Sequence, residues 1–261
     1  MIPTLTAVSY QCYLGTGRTK PCVFICEDDQ GKRVGEYVVK LRSNIETGTA
    51  GLLREVVASL LAKHIGLVVP DPAIVKIEDA LVGAIIDQYV AESVRKSIGL
   101  NFGSKFISGG FVTWPCGKSV PISIKQNAVD TFVFDMLIQN PDRRISKPNL
   151  LWKDDQLYLI DHEMGFSFLL DIFLPQESWR IANLNFINEH VFFNDLRHSN
   201  NLDFSRYERA LRSVTNEIWN DFVEQIPQEW INGNLEKIKN HIYQVRDNLT
   251  TFLDEVRRVL I

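Results

Sequence analysis

No apolar run in this sequence approaches the roughly 20 residues that a membrane-spanning helix needs, so a helical transmembrane class is excluded. No block of basic residues occurs either. The formal net charge is −4, which argues against a nucleic acid as the primary ligand, since binding of that kind rests on clustered positive charge. Arg143, Arg144 and Lys147 are left as a local basic patch. Cysteine is scarce: Cys12, Cys22, Cys26 and Cys116 are the four present, and none of the five histidines supplies the spacing of a zinc site. Cys22 and Cys26 lie on one side of the apolar run CVFIC, where reduced, buried cysteines behave as small hydrophobes. There is no GxGxxG signature, no internal repeat and no low-complexity segment. No leader pattern is read at the start, and the expected location is the cytoplasm, with no membrane and no direct nucleic acid among its partners.

What is present is an ordinary globular composition, 45% hydrophobic and 23% charged over 261 residues. That length suits one large domain or two tightly joined lobes. The runs VSYQCYL, PCVFICED and EYVVKLR read as strands, divided by GTGRTK and by a turn at Asp29-Gln30-Gly31. GLLREVVASLLAKHIGL has helical spacing, with Thr47 to Thr49 as start signals and Gly66 and Pro70 as stop signals. AIVKIED and LVGAIIDQYV read as two more strands, and 91–125 as irregular. A helix is expected from Gln126, and beyond Pro175 two long amphipathic helical patterns, SRYERALRSVTNEIWNDFVEQI and GNLEKIKNHIYQVRDNLTTFLDEVRRVLI. The expectation is a β-rich region over 1–90 with one helix and a mostly helical region over 91–261.

Three places carry candidate chemistry. Lys40 sits inside a strand and Glu55 near the start of the helix that follows. Each alone fits a solvated surface residue, but paired they would hold an ammonium ready for nucleotide phosphates. The loop GTGRTKP, with Gly15 and Gly17, fits either a plain turn or a flexible phosphate cover. The third place is QNPDRRISKPNLLWKDDQLYLIDHEMGF, residues 139–166. If NLLW and LYLI pair around KDDQ, Asn149 and Asp161 lie at neighbouring ends of a hairpin. Their oxygens are hard ligands suited to Mg²⁺, and Asp142 could accept the proton of an attacking hydroxyl. Asp and Asn are also common turn residues, and the residues alone leave the two readings nearly balanced.

Order along the chain tips the balance. A glycine-containing loop, strand Lys, helix Glu, two strands, a helix, then Asp, Asn, a hairpin and Asp are the parts of the protein-kinase-like fold in sequence. Over about Tyr10 to Phe168 the chain resembles the short HipA-like kinases, through YVVKL (37–41), LLREVVASLLA (52–62), DQYV (87–90), NPDR (140–143), PNLLW (148–152) and LIDHEMGF (159–166). The fold class this implies is α+β: a bilobal protein-kinase-like fold with a β-rich N-lobe carrying one helix (1–90) and a mostly helical C-lobe (91–261). The resemblance implies ATP and Mg²⁺ as cofactors. Lys40, Glu55, Gly15, Gly17, Gln88 and Tyr89 would serve the nucleotide, Asp142 catalysis, and Asn149 and Asp161 the metal.

Its function would be phosphotransfer to a Ser/Thr of a protein substrate, with an antitoxin or regulatory protein as a further partner. A nucleotide-binding pseudokinase and a small-molecule or lipid kinase are the alternatives. Thr16, Thr19, Ser43, Thr47 and Thr49 are candidate autophosphorylation sites. Asn149 follows Asp142 by seven positions, two more than in typical protein kinases, so the loop between them is expected to bulge around Ile145 to Lys147. Asp161 is followed by His-Glu in place of Phe-Gly.

Overall fold

A computed structural model describes residues 1–15, 19–172, 175–199 and 202–261. The chain divides into two compact units, Met1–Val56 with Pro70–Ser108 and Glu224–Ile231, and Val57–Val69 with Gly109–Val223 and Asn232–Ile261. It is α+β, strand-rich in its N-terminal region and helical in its C-terminal part.

The first unit begins with β1 (Thr4–Tyr13), β2 (Cys22–Glu27) and β3 (Arg33–Lys40), followed by the first part of α1 (Thr49–Ile65), which from Val57 on belongs to the second unit. Then come β4 (Pro72–Ile77), α2 (Asp79–Val82), α3 (Gln88–Arg95) and β5 (Gly99–Lys105). The strand order is β1-β2-β3-β5-β4, and a parallel pairing of β1 with β4, Thr4 opposite Ile74, closes the sheet into a barrel. Alternation along the strands turns Leu5, Ala7, Cys22, Phe24, Cys26, Tyr37, Val39, Ala73, Val75 and Ile77 into one core. Leu81, Val82, Ile85, Val90 and Val94 of the α2–α3 segment pack on it. The turn at Asp29-Gln30-Gly31 is held by Asp28, whose Oδ1 accepts from the backbone N–H groups of Gln30 and Lys32 at 3.0 and 2.9 Å. Gly31 supplies the positive φ that this turn needs. Cys22 and Cys26 are free and buried, and burial pushes both thiols up to about 12.

Two readings of this region need correction. LVGAIIDQYV is not a strand: it is the end of α2, a bend and the start of α3, so the region holds more than one helix. Asp87 is the cause. Its carboxylate accepts from Tyr89 and Val90 N–H at 2.9 and 3.2 Å, capping α3 and ending any extended run there. The fifth strand is instead Gly99–Lys105, inside the stretch read as irregular.

The second unit carries β6 (Val112–Thr113), α4 (Lys125–Leu137), β7 (Leu150–Lys153) and β8 (Gln156–Leu159), the strands forming one antiparallel sheet in the order β6-β7-β8. Beyond them lie α5 (Phe193–Leu196), α6 (Ser205–Arg212), α7 (Asn216–Val223), α8 (Gly233–Asp247) and α9 (Leu249–Leu260). The two long helical patterns are thus four helices. The first breaks at Ser213 to Thr215, where Ser213 Oγ donates to the Ala210 carbonyl and Thr215 Oγ1 accepts from Ile218 N–H. Such local side-chain bonds compete with helix continuation. The second breaks at Asn248. No described helix is long and apolar enough to cross a membrane.

Two packing features give direct tests. A Cβ on Gly103 would stand 2.5 Å from Val75 Cγ2 inside the barrel. Gly103→Ala is expected to cost about 1–3 kcal/mol in urea denaturation, with Val75→Ala in the same chain restoring part of it. His241 of α8 is fully buried, stacked on Phe168 at 4.7 Å, and donates from Nε2 to the Leu137 carbonyl at 2.7 Å. Burial lowers its pKa from 6.5 to about 4 despite that bond. The ring stays neutral in the folded chain while the unfolded chain takes up a proton below about 6.5. Its contribution is therefore complete above that pH and lost as pH falls toward 4, a loss of about 3 kcal/mol. Denaturation midpoints measured from pH 7 to pH 4 should fall more steeply for the wild type than for His241→Gln.

Candidate active site

In the first unit, β3 ends on Lys40 and α1 carries Glu55 one turn and a half from its start. The two side chains form a buried ion pair between Lys40 Nζ and Glu55 Oε1. Lys40 alternates with the core-facing Val39, so it leaves the barrel interior on the other face of its strand. α1 is buried along nearly its whole length, which removes Glu55 from water and leaves an ammonium as the natural compensation for its charge.

Gln88 and Tyr89 fall elsewhere. Both are exposed on the first turn of α3. Tyr89 lies under Lys20, whose Nζ is 4.4 Å from the ring centroid, and it lines a cavity of about 240 Å³ with Tyr13, Lys20, Cys22, Leu41 and Asp87. Among the described residues lining that cavity, Lys40 and Glu55 do not occur. Gly15 is exposed, and a Cβ there would meet nothing within 4 Å. Thr16 and Gly17 lie outside the described residues. The Thr19 carbonyl accepts from Asn44 Nδ2 at 3.1 Å, Ser43 Oγ donates to the Ser93 carbonyl at 3.0 Å, and Thr47 Oγ1 accepts from Arg54 Nη2 at 2.9 Å. Thr49 is the first residue of α1.

In the second unit, β7 and β8 pair as a hairpin with Leu150 opposite Leu159, closing around 153–156. Asn149 directly precedes β7 and Asp161 is the second residue after β8, and the Ile160 N–H donates to the Asn149 carbonyl at 3.1 Å. Both residues have left-handed backbone, with φ of 51° for Asn149 and 59° for Asp161. That conformation costs a non-glycine residue about 1–2 kcal/mol and is accepted most readily by Asn and Asp. Asn149 Nδ2 donates to the Asp142 carboxylate at 3.2 Å and to its backbone carbonyl at 3.3 Å. With its nitrogen donating, the Asn149 amide keeps its oxygen as an acceptor.

The longer loop between Asp142 and Asn149 closes by making a tight turn. Arg144 N–H donates to the Lys147 carbonyl and Lys147 N–H returns to the Arg144 carbonyl, each at 3.0 Å, so Ile145 and Ser146 are looped out. The turn brings Lys147 back to the carboxylates. Its Nζ lies 2.5 Å from Asp142 Oδ2 and 3.2 Å from Asp161 Oδ2. Burial alone would lower the Lys147 pKa, but Asp161 and Asp142 beside it hold it above its ordinary value. Arg144 Nη2 meets the other Asp142 oxygen at 3.2 Å.

Beneath this lies a fully buried charge network that the sequence reading missed. Arg143 Nε donates to Asp135 Oδ2 at 2.5 Å, and its Nη1 donates to the carbonyls of Asn149 and Ile160. Its Nη2 approaches His162 Nδ1 at 3.2 Å. Asp135 also accepts from Asn140 Nδ2 at 3.1 Å and from His190 Nε2 at 3.0 Å. Burial would raise the Asp135 pKa, but Arg143 and His190 hold it below the usual value, and burial keeps His190 low as well. The signal in the sequence was a carboxylate inside the apolar run FVFDMLI at the end of α4. His162 and Glu163 are buried.

The donors gathered here are two carboxylates and an amide oxygen, the hard oxygen set that Mg²⁺ takes. Asn149 and Asp161 fit such an ion as its protein ligands. Removing Arg143 would strand Asp135 as an uncompensated buried charge. Arg143→Met is expected to cost about 3–5 kcal/mol in chemical denaturation, with Asp135→Leu added to it recovering much of that loss.

A family model described as HipA-like kinase matches residues 12–257. A search of curated proteins finds no match. Among solved structures, the chain is similar to the Helicobacter pylori proinflammatory kinase CtkA, with a TM-score of 0.54 and 14% identity over 99% of this chain and 98% of that one. That likeness shows a shared fold. A Neurospora crassa PAN3 pseudokinase mutant matches at 12% identity and a TM-score of 0.31, over 98% of this chain and 67% of that one.

Proposed function

The chain belongs to the HipA-like kinase family, and from that premise we propose that it transfers the terminal phosphoryl group of ATP to a Ser or Thr hydroxyl of a protein. The observation that carries this reading is the gathering of Asp142, Asn149 and Asp161 at the base of one hairpin, with Asn149 bonded to Asp142 across the tight turn. Lys40, held by Glu55, binds the phosphates. Asp142 orients the acceptor hydroxyl and takes its proton, while Asn149 and Asp161 hold Mg²⁺. The metal, when bound, neutralises charge on the transferring phosphoryl group. Catalysis on this reading is positioning and charge compensation, with no covalent protein intermediate.

The loop that carries Gly15 and Gly17 serves the nucleotide, and the N-lobe expected over 1–90 takes in β5 as well, with the C-lobe after it. Gln88 and Tyr89, on the face that carries the cavity with Lys20, are proposed as outlying contacts. The cellular role we favour is that of a cytoplasmic toxin or stress regulator controlled by an antitoxin or regulatory protein, a reading supported by family membership alone.

Mass spectrometry after incubation with Mg-ATP tests the activity. Wild-type chain should phosphorylate itself or proteins of a lysate, and Asp142→Ala should lower that signal by about 10²-fold or more, the loss typical for a positioned acid or base. Phosphorylation that persists in Asp142→Ala would refute the assignment of Asp142. Tight ATP binding without phosphorylation in either chain would support a pseudokinase instead. Phosphorylated lipid or metabolite in place of protein would move the acceptor class.

A further inference from the structure

Two cations stand in the loop between Asp142 and Asn149, and they are differently placed. Arg144 touches Asp142 alone and its side chain is 44% exposed. Lys147 touches both Asp142 and Asp161, at 2.5 and 3.2 Å, from a side chain 39% exposed. The two carboxylates it bridges belong to different segments, one before the hairpin and one after it. Like charges brought this close repel, and the ammonium between them offsets that repulsion. The residue arrives there through the looped-out Ile145-Ser146 turn, which reverses the chain and points Lys147 back at the acids.

We propose that Lys147 is a displaceable counter-cation of the phosphotransfer site: it pairs with Asp161 and Asp142, and it must release Asp161 for a divalent ion to bind there. The inference rests on the reading of Asp161 as a metal ligand. Lysine suits this task because its ammonium is a compact point charge on four rotatable bonds, so it can exchange one oxygen partner for another without moving the backbone. After release from Asp161, its remaining contact with Asp142 keeps it beside the reacting groups, making it a positioning residue for that carboxylate.

Competition of this kind has a signature that activity does not report. Removing the ammonium should tighten divalent binding, because the incoming ion no longer has to break a charge-assisted pair. Free Mn²⁺ can be followed by electron paramagnetic resonance as the full-length chain is titrated without nucleotide. Lys147→Gln is expected to bind Mn²⁺ about tenfold more tightly than wild type, since one neighbouring charge at this range and half-burial changes ion affinity by about that factor. Lys147→Arg keeps the charge but fixes it in a fork on the two acids, and should show no gain in Mn²⁺ affinity. Arg144→Gln, which removes a charge from Asp142 alone, should change Mn²⁺ affinity by less than about twofold.

Asp161→Asn separates the two levels of the argument. If it abolishes Mn²⁺ binding while Lys147→Gln leaves the affinity unchanged or weaker, the metal reading stands and the counter-cation role is overturned. If Asp161→Asn binds Mn²⁺ as well as wild type, the ligand assignment itself is wrong and the competition falls with it. An equal gain in Lys147→Gln and Arg144→Gln would reduce the effect to net charge, which also overturns a specific role for Lys147. Thermal unfolding of each variant confirms that folded chains are being compared.

Discussion

The buried contact between Arg143 and Asp135 is the constraint on which the hairpin site depends. Both side chains are removed from water completely, a placement that is unfavourable for either alone and tolerable only with full hydrogen bonding. The network meets that condition. Asp135 accepts from Arg143, Asn140 and His190, and Arg143 spends its remaining N–H groups on the carbonyls of Asn149 and Ile160 and on His162. One guanidinium therefore ties the two ends of the β7–β8 hairpin to α4. Asn149 and Ile160, the residue before Asp161, are held through their backbone carbonyls, so the hairpin ends are fixed without using the Asn149 and Asp161 side chains.

That division between backbone anchoring and side-chain availability explains the unusual torsions. Asn149 and Asp161 both take left-handed backbone next to the carbonyls that Arg143 grips. Strain of this type persists only where the surroundings over-determine it. Here the surroundings are a cation with fixed fork geometry and a two-stranded ladder. Phe166 and Gln139 share the left-handed conformation, and Phe166 N–H donates to Ile138 while Ser167 N–H donates to Gln139. The end of α4 and the segment after Asp161 are thus joined by backbone bonds as well.

Much of this was legible in the sequence where one residue type answers one physical demand. The alternation in CVFIC and EYVVKLR marked strands, and NLLW and LYLI around KDDQ marked a hairpin, because period and turn chemistry act locally. The Lys40–Glu55 pair was legible from order, since a strand lysine and a helix glutamate had been placed to meet. What was not legible depended on distant partners. LVGAIIDQYV has strand composition, yet the Asp87 cap decides for helix. The long patterns after Ser205 have continuous helical period, yet Ser213, Thr215 and Asn248 end helices through bonds that periodicity does not register. Asp135 and His190 lie 55 residues apart, and no local pattern connects them.

Lys147 was legible only as one member of a basic cluster with Arg143 and Arg144, and the structure separates the three by chemistry. Arg143 is buried, planar and permanently charged, with five donors in a rigid fork, and it holds fixed backbone acceptors. Arg144 meets one carboxylate oxygen from a side chain 44% exposed, where such a contact contributes little. Lys147 is nearly as exposed as Arg144, but its ammonium meets two carboxylates and its flexible stem can change partners. A second arginine in its place would keep the charge, but its fork would favour one fixed geometry on the two acids. A neutral residue would leave Asp142 and Asp161 to repel each other. The two additional residues between Asp142 and Asn149 thus do more than lengthen a loop: the turn they form brings a flexible cation to both carboxylates, beside hairpin ends whose backbone Arg143 holds.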